Sequence, residues 1–230
     1  MIASKLNGTE VYSGWEEYYQ KADAGRAWAG EPDPAVSKIL DAHRGREGLR
    51  VLDLGCGEGR NLIPWLDFAG VVGVDIAQTA LARVRDAADA QKKKYRPFLL
   101  CEDMSAIPLI DSQFHVVQCF DALSQVIDPV PAMREMARLV SSDGIVYFNL
   151  FTPGDVAFGE GEPEGENSFV YRKTLFRFFE EEEIRGLVPK GLQIKKLERR
   201  TWIDPPHGPF RPETHRHEAI VCFCHRRVVE

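Results

Sequence analysis

Val51-Leu52-Asp53-Leu54-Gly55-Cys56-Gly57-Glu58-Gly59-Arg60-Asn61 decides how this 230-residue chain is read. Val51 to Leu54 reads as a short buried strand whose apolar residues, Val51, Leu52 and Leu54, do not alternate, the pattern of a central parallel strand covered on both faces. Asp53 stands near its end, before the first glycine, and glycines follow at every second position, where positive φ and close approach of a ligand to the backbone carry no steric penalty. Asn61 to Phe68 then carries apolar residues at helical spacing. The layout is strand, tight turn and helix N-terminus. A dinucleotide fingerprint, G-x-G-x-x-G, would place its last glycine at position 60, which is Arg60. The pattern present is D-x-G-x-G-x-G. The Asp53 carboxylate at the mouth opposes an anion and suits a cationic ligand. A glycine turn without any ligand is the plain alternative, but it leaves the agreement of acid, glycines and flanks unexplained.

Outward from this stretch, strands and helices alternate. Val71–Asp75, Phe98–Cys101, Phe114–Phe120 and Ile145–Phe151 read as strands. Between the first two lies a one-sided stripe of Ala77, Ala80, Leu81, Val84 and Ala88. Between the last two, Asp128-Pro129 caps a helix faced by Val130, Met133, Met136, Ala137 and Val140. This alternation predicts an α/β fold with a doubly wound, mostly parallel sheet. Ahead of it, residues 1–48 form a helical section: an amphipathic helix over Ser13–Asp23, then a second started by Pro34. One large domain accounts for the whole length. The hydrophobic share of 44% is ordinary, and no apolar run reaches the ~20 residues of a membrane span. Met1–Glu10 lacks the apolar core of a secretory signal, and five cysteines read as reduced thiols of a cytoplasmic protein. A net charge of −6 argues against a nucleic-acid partner, and Lys92-Lys93-Lys94 reads as a complement to a helix C-terminus.

The acid-and-glycine form of the first motif resembles that of the class I S-adenosylmethionine (SAM)-dependent methyltransferases. The resemblance covers roughly residues 13–225 and implies a seven-stranded sheet closed by a C-terminal antiparallel hairpin. It implies SAM as cofactor, with S-adenosylhomocysteine (SAH) as product. The cofactor's amino-acid end would rest on Asp53, Gly55, Cys56, Gly57, Arg60 and Asn61. Asp75, at the end of the second strand, would accept hydrogen bonds from the ribose, a role its position suits for any nucleotide; a helix cap is the competing reading. Ile76 would lie against the adenine, with Asp103 and Met104 near its amino group and Phe120 at the end of the fourth strand. Tyr19 and Trp28 would fold over the cofactor from the N-terminal section. Two residues depart from the family's pattern: His115, where an Asp usually follows the Phe, and Gln125, where many members carry a His. Gly59-Arg60-Asn61 resembles the tellurite-resistance and thiopurine-like branches.

The rest of the chain is less specific. Thr152–Ser168 holds four glycines and five acids without Lys or Arg, and is expected to be a mobile acidic surface loop on the ligand side of the sheet. Glu180–Glu183 reads as the first turn of a helix, where the dipole favours acids, rather than as a metal site. Leu192–Trp202 and Glu218–His225 read as two final strands around a proline-rich connection. Asp121, Tyr171, His207, His215 and His217 are polar candidates near the acceptor side; none is assigned as catalytic and no metal site is expected. The absence of an Asn/Asp-Pro-Pro-aromatic turn at Cys119-Phe120-Asp121-Ala122 disfavours nucleobase or glutamine amino methylation. The expected function is methyl transfer from SAM to a small-molecule acceptor, with neither nucleic acid nor membrane as partner. A SAM/SAH-binding module without catalysis and an NAD-dependent oxidoreductase are the alternatives.

Overall fold

The computed structural model describes residues 8–23, 31–207 and 211–227, with side chains from Ser13 onward. Two helices lead in, α1 (Gly8–Lys21) and α2 (Pro34–His43). The core then runs β1 (Arg50–Leu54), β2 (Gly70–Asp75), α3 (Gln78–Ala90), β3 (Phe98–Cys101), β4 (Phe114–Cys119), α4 (Pro129–Leu139) and β5 (Val140–Phe151). A small unit follows, β6 (Glu162–Gly165), β7 (Ser168–Tyr171) and β8 (Thr174–Arg177). The chain then forms α5 (Glu181–Leu187), β9 (Leu192–Asp204) and β10 (His215–Arg226). Seven strands make one sheet in the order β3-β2-β1-β4-β5-β10-β9. Strands β1 to β5 pair in parallel, while β10 is antiparallel to both β5 and β9. The expected doubly wound sheet and closing hairpin are both present.

Burial on both faces explains why the apolar residues of β1 do not alternate with polar ones. Leu52 and Leu54 enter a core with Met133, Met136 and Ile184 from α4 and α5. Val51 enters the opposite core with Val36, Trp65 and Val84. Both faces are covered, so alternation is lost. β5 starts five residues earlier than Ile145, because Val140 already pairs with Phe114 before the register shifts at Val116. Asp128 caps α4 through Val130 N at 2.9 Å, as its Asp-Pro start predicts.

Two expectations need correction. The helix expected over Asn61–Phe68 is a 3₁₀ helix at Ile63–Asp67. Gly59 O accepts from both Leu62 N and Ile63 N, and Pro64 can donate nothing, so only a tight turn fits before Gly70 re-enters the sheet. The acidic segment Thr152–Ser168 is not an unstructured loop. Thr152, Asp155 and Ala157 are buried, and Glu162–Gly165 pairs with β7. Its acids find partners that a count of its own residues does not show. Asp155 accepts from Ala157 N, His217 Nδ1 and Glu218 N at 2.8–2.9 Å, and Glu160 meets Arg211 at 2.7 Å. Phe158 packs edge-on against Phe169 and Phe178, so the segment has its own apolar cluster.

Gln118, fully buried in β4, ties the strand to the 3₁₀ turn and to β5 on the Val51 face of the sheet. Its Oε1 accepts from Trp65 Nε1 at 3.0 Å and from Tyr147 OH at 2.5 Å, and its Nε2 donates to Asn61 O at 3.2 Å. Gln118→Leu keeps the volume but orphans these groups in the core. Urea unfolding of that variant is expected to show a loss of about 2–4 kcal/mol.

Candidate functional site

A cavity of about 580 Å³ opens at the C-terminal ends of β1, β2 and β4, within the range of small-molecule sites. The turn after β1 forms its floor. Gly55 N and Cys56 N both donate to Val74 O, at 2.8 and 3.1 Å, and Gly57 N donates to Asp75 Oδ2 at 2.8 Å. Gly55, Gly57 and Gly59 take φ of 64°, 50° and 85°, so the turn needs the left-handed region three times over. At Gly55 a Cβ would come within 2.3 Å of Ala122 Cβ.

Each carboxylate in the cavity sits in a distinct environment. Asp53 is buried, and its Oδ2 has no hydrogen-bond partner. Burial pushes its carboxyl up to about 7, against the opposing hydrogen bond from Gln118. Asp75 is also raised by burial, opposed by the amides of Ala77 and Gly57. Its Oδ1 accepts from Ala77 N at 2.9 Å, so Asp75 braces the glycine turn and the start of α3 while lining the cavity. Asp103 Oδ1 accepts from Ser105 N at 2.7 Å.

Asp53, Gly55, Cys56, Gly57, Arg60, Asn61, Asp75, Ile76, Asp103, Met104, Phe120 and Tyr19 all line this one cavity. Trp28 lies outside the described residues. Two of the lining side chains spend their polar groups on the protein. Arg60 forms an ion pair with Asp121, a residue held at φ 55° by a two-way pairing with Asn149 at 2.6 Å. Asn61 Oδ1 accepts from Asp33 N at 2.9 Å, and Asp33 in turn caps α2 and meets Arg200 at 3.0 Å. Asp121 therefore acts as a fixture of the cavity rim. Of the other polar candidates, Tyr171, His207 and His217 line a separate small void.

Sequence reasoning missed the fastening of α1 over this cavity. Glu16 accepts from Thr79 N at 3.2 Å and Thr79 Oγ1 at 2.5 Å, capping α3. Arg83 donates to Tyr19 O and Ala22 O at 2.6 and 2.7 Å, closing the C-terminal end of α1. These bonds set Trp15 and Tyr19 into the cavity wall. Only the pairing of Glu16 with a helix N-terminus was available as a signal, and it spans 63 residues of sequence. Gln125 was noted only as a departure; it lines the cavity with its buried Nε2 lacking a hydrogen-bond partner.

Residues 52–148 match the family model described as "Methyltransferase domain". This stretch, less than half of the 230-residue chain, belongs to the class I methyltransferase family. A malonyl-[acyl-carrier protein] O-methyltransferase of Halorhodospira halophila is 38% identical over 107 residues, covering 45% of this chain and 35% of the relative. A ubiquinone biosynthesis O-methyltransferase of Aromatoleum aromaticum is 34% identical over 165 residues, covering 70% and 62%. The chain spans about a third to a half of the length of the first curated relatives it matches. Among solved structures, a SAM-dependent methyltransferase from Methanosarcina mazei superposes with a TM-score of 0.69 at 20% identity, covering 87% of this chain and all of that one. That last likeness is one of fold. No helix among the described residues is long and apolar enough to cross a membrane.

The glycine turn makes opposite demands from glycines elsewhere. Gly55→Ala is expected to lower stability by about 2 kcal/mol or more, from the left-handed φ and the contact with Ala122. Gly186→Ala, in α5 with open space around it, should stabilise by about 0.5–1 kcal/mol. Urea denaturation of both variants measures the contrast.

Proposed function

We propose that this chain is a methyltransferase that transfers the methyl group of SAM to a small or carrier-linked acceptor, and that Asp53 is the anchor of the cofactor's cationic end. The observation that carries the reading is the Asp53 carboxyl: buried, in the cavity wall, with Oδ2 unpartnered. A buried anion without a partner is costly, and a bound cation removes that cost. The donor set fits SAM in other respects. Asp75 retains carboxylate lone pairs for ribose hydroxyls beyond its two backbone bonds. Ile76 and Met104 offer apolar faces to an adenine, with Asp103 beside them. Cys56, Gly57 and Phe120 complete the floor, while Arg60 and Asn61 hold its shape.

The cofactor supplies an electrophilic methyl group on a sulfonium sulfur. The chain's own work is to orient the two partners and exclude water, which is where most of the acceleration of a direct displacement arises. Trp15 and Tyr19 cover the cavity from α1. Gln125 can donate a hydrogen bond to an acceptor oxygen but cannot take up a proton, so the reading favours an acceptor whose nucleophile is acidic enough to lose its proton without a histidine base. The O-methyltransferase names of the relatives agree with an oxygen nucleophile, which is part of the proposal.

The reading fixes a pH signature. Without ligand, the native chain holds the Asp53 proton up to about pH 7, whereas an unfolded Asp releases it near ~3.9. This group's contribution to stability therefore falls as pH rises across that window. Cation binding needs the deprotonated form, so SAH affinity should weaken by about tenfold in all as pH drops from 8 to 6. Asp53→Asn should bind more weakly and show a flat profile there. Calorimetric titration with SAH at several pH values decides it. A pH-independent wild-type affinity counts against Asp53 as anchor, and stabilisation by NAD with none by SAH counts against the cofactor assignment.

A further inference from the structure

The far end of the β9–β10 hairpin brings together Asp204, His207, His215 and His217, four potential ligand atoms all within 4.8 Å of one another. Asp204 ends β9 and pairs across the ladder with His215; His217 is two residues further on the same strand and so shares its face. His207 stands in the connection, held by its N–H to Arg211 O at 2.8 Å.

The outer contacts of two rings decide their tautomers. His217 Nδ1 lies 2.8 Å from Asp155 Oδ2, and His215 Nδ1 lies 2.8 Å from Glu213 O. Carboxylate and carbonyl oxygens only accept, so both Nδ1 atoms carry the proton and both Nε2 atoms present a lone pair. His215 Nε2 is buried and has no hydrogen-bond partner. The Asp204 Oδ2 atom lies 3.8 Å from His207 Nε2 and 3.9 Å from His217 Nε2. Those separations are too long for hydrogen bonds. They approach the roughly 3.3 Å ligand–ligand spacing around a tetrahedral zinc with ~2.0 Å bonds. A histidine ligand whose other nitrogen is fixed by a carboxylate or a carbonyl is a recurring arrangement at metal sites. Arg211, the nearby guanidinium, is engaged by Glu160 at 2.7 Å.

We propose that Asp204, His207, His215 and His217 bind one divalent cation of the zinc class in a closed, four-ligand structural site. Three imidazoles and one carboxylate suit a borderline cation over magnesium or calcium, which favour all-oxygen sets. Asp155 joins the site to the Thr152–Phe158 segment, and Phe151 stacks on His217 at 5.7 Å. The cation thus fastens the hairpin end to the acidic segment. The inference is independent of the cofactor reading.

The test uses the tag-free full chain, stripped with a chelator and titrated with Zn²⁺ against a chromophoric competitor, then with Co²⁺ for its visible spectrum. One equivalent of Zn²⁺, a raised melting temperature and the intense bands of tetrahedral Co²⁺ are expected. His215→Gln should bind at least ~100-fold more weakly, beyond the effect of losing an outer partner, while its metal-free melting curve shows that it folds. If it does not fold, His207→Gln, outside the strands, makes the same comparison. Absence of stoichiometric zinc in the wild type, equal binding by a folded variant, or a six-coordinate Co²⁺ spectrum overturns the proposal.

Discussion

The site depends on one set of backbone bonds: the glycine turn hung from the end of its neighbouring strand. Val74 O takes two amides of the turn, and the Asp75 carboxylate takes a third. Three residues in the left-handed region are what bend the chain sharply enough to reach them. With the turn fixed on β2, Asp53 is left at the strand end with an unsatisfied oxygen, and the chain cannot relax toward it. The same Asp75 that fastens the turn also starts α3. Cofactor floor and helix placement are therefore set by one side chain.

A second layer of constraint comes from outside the core. α1 is held on α3 by Glu16 and Arg83, and braced from the other side by the small sheet. Lys173 meets Glu17 at 2.6 Å, Gly14 approaches Lys173 O too closely for any side chain, and Arg177 donates to Ile127 O beside the cavity. The acidic segment reaches this support only through β6, which pairs with β7 in the small sheet. Two of its five acids, Asp155 and Glu160, are held by contacts to β10 and to Arg211.

Local signals were legible where a short stretch carries its own physics. The β1 run, the glycine register and the Asp33-Pro34 and Asp128-Pro129 starts are visible in sequence, because each depends on near neighbours, whereas the antiparallel ending was implied by the family resemblance. The 3₁₀ helix after the glycine turn was misread: helical spacing was present, but Pro64 and the short distance to Gly70 left no room for an α-helix. The acidic segment was misread for a different reason. Composition counts charges on one stretch, whereas Asp155 and Glu160 meet their partners 51 to 63 residues away. The histidines of the hairpin were weighed one at a time, and only the strand register shows that His215 and His217 share a face opposite Asp204.

The two free borders of the main sheet are treated unequally. β3 is only four residues long. β9 is long, thirteen residues, yet it carries Lys195, Lys196, Glu198, Arg199 and Arg200. A strand from another copy that tried to extend the sheet at β9 would have to bury these charges or pull Arg199 from Glu218 and Arg200 from Asp33. The border that looks most open to self-association is thus guarded by the ion pairs that lock it to its own fold.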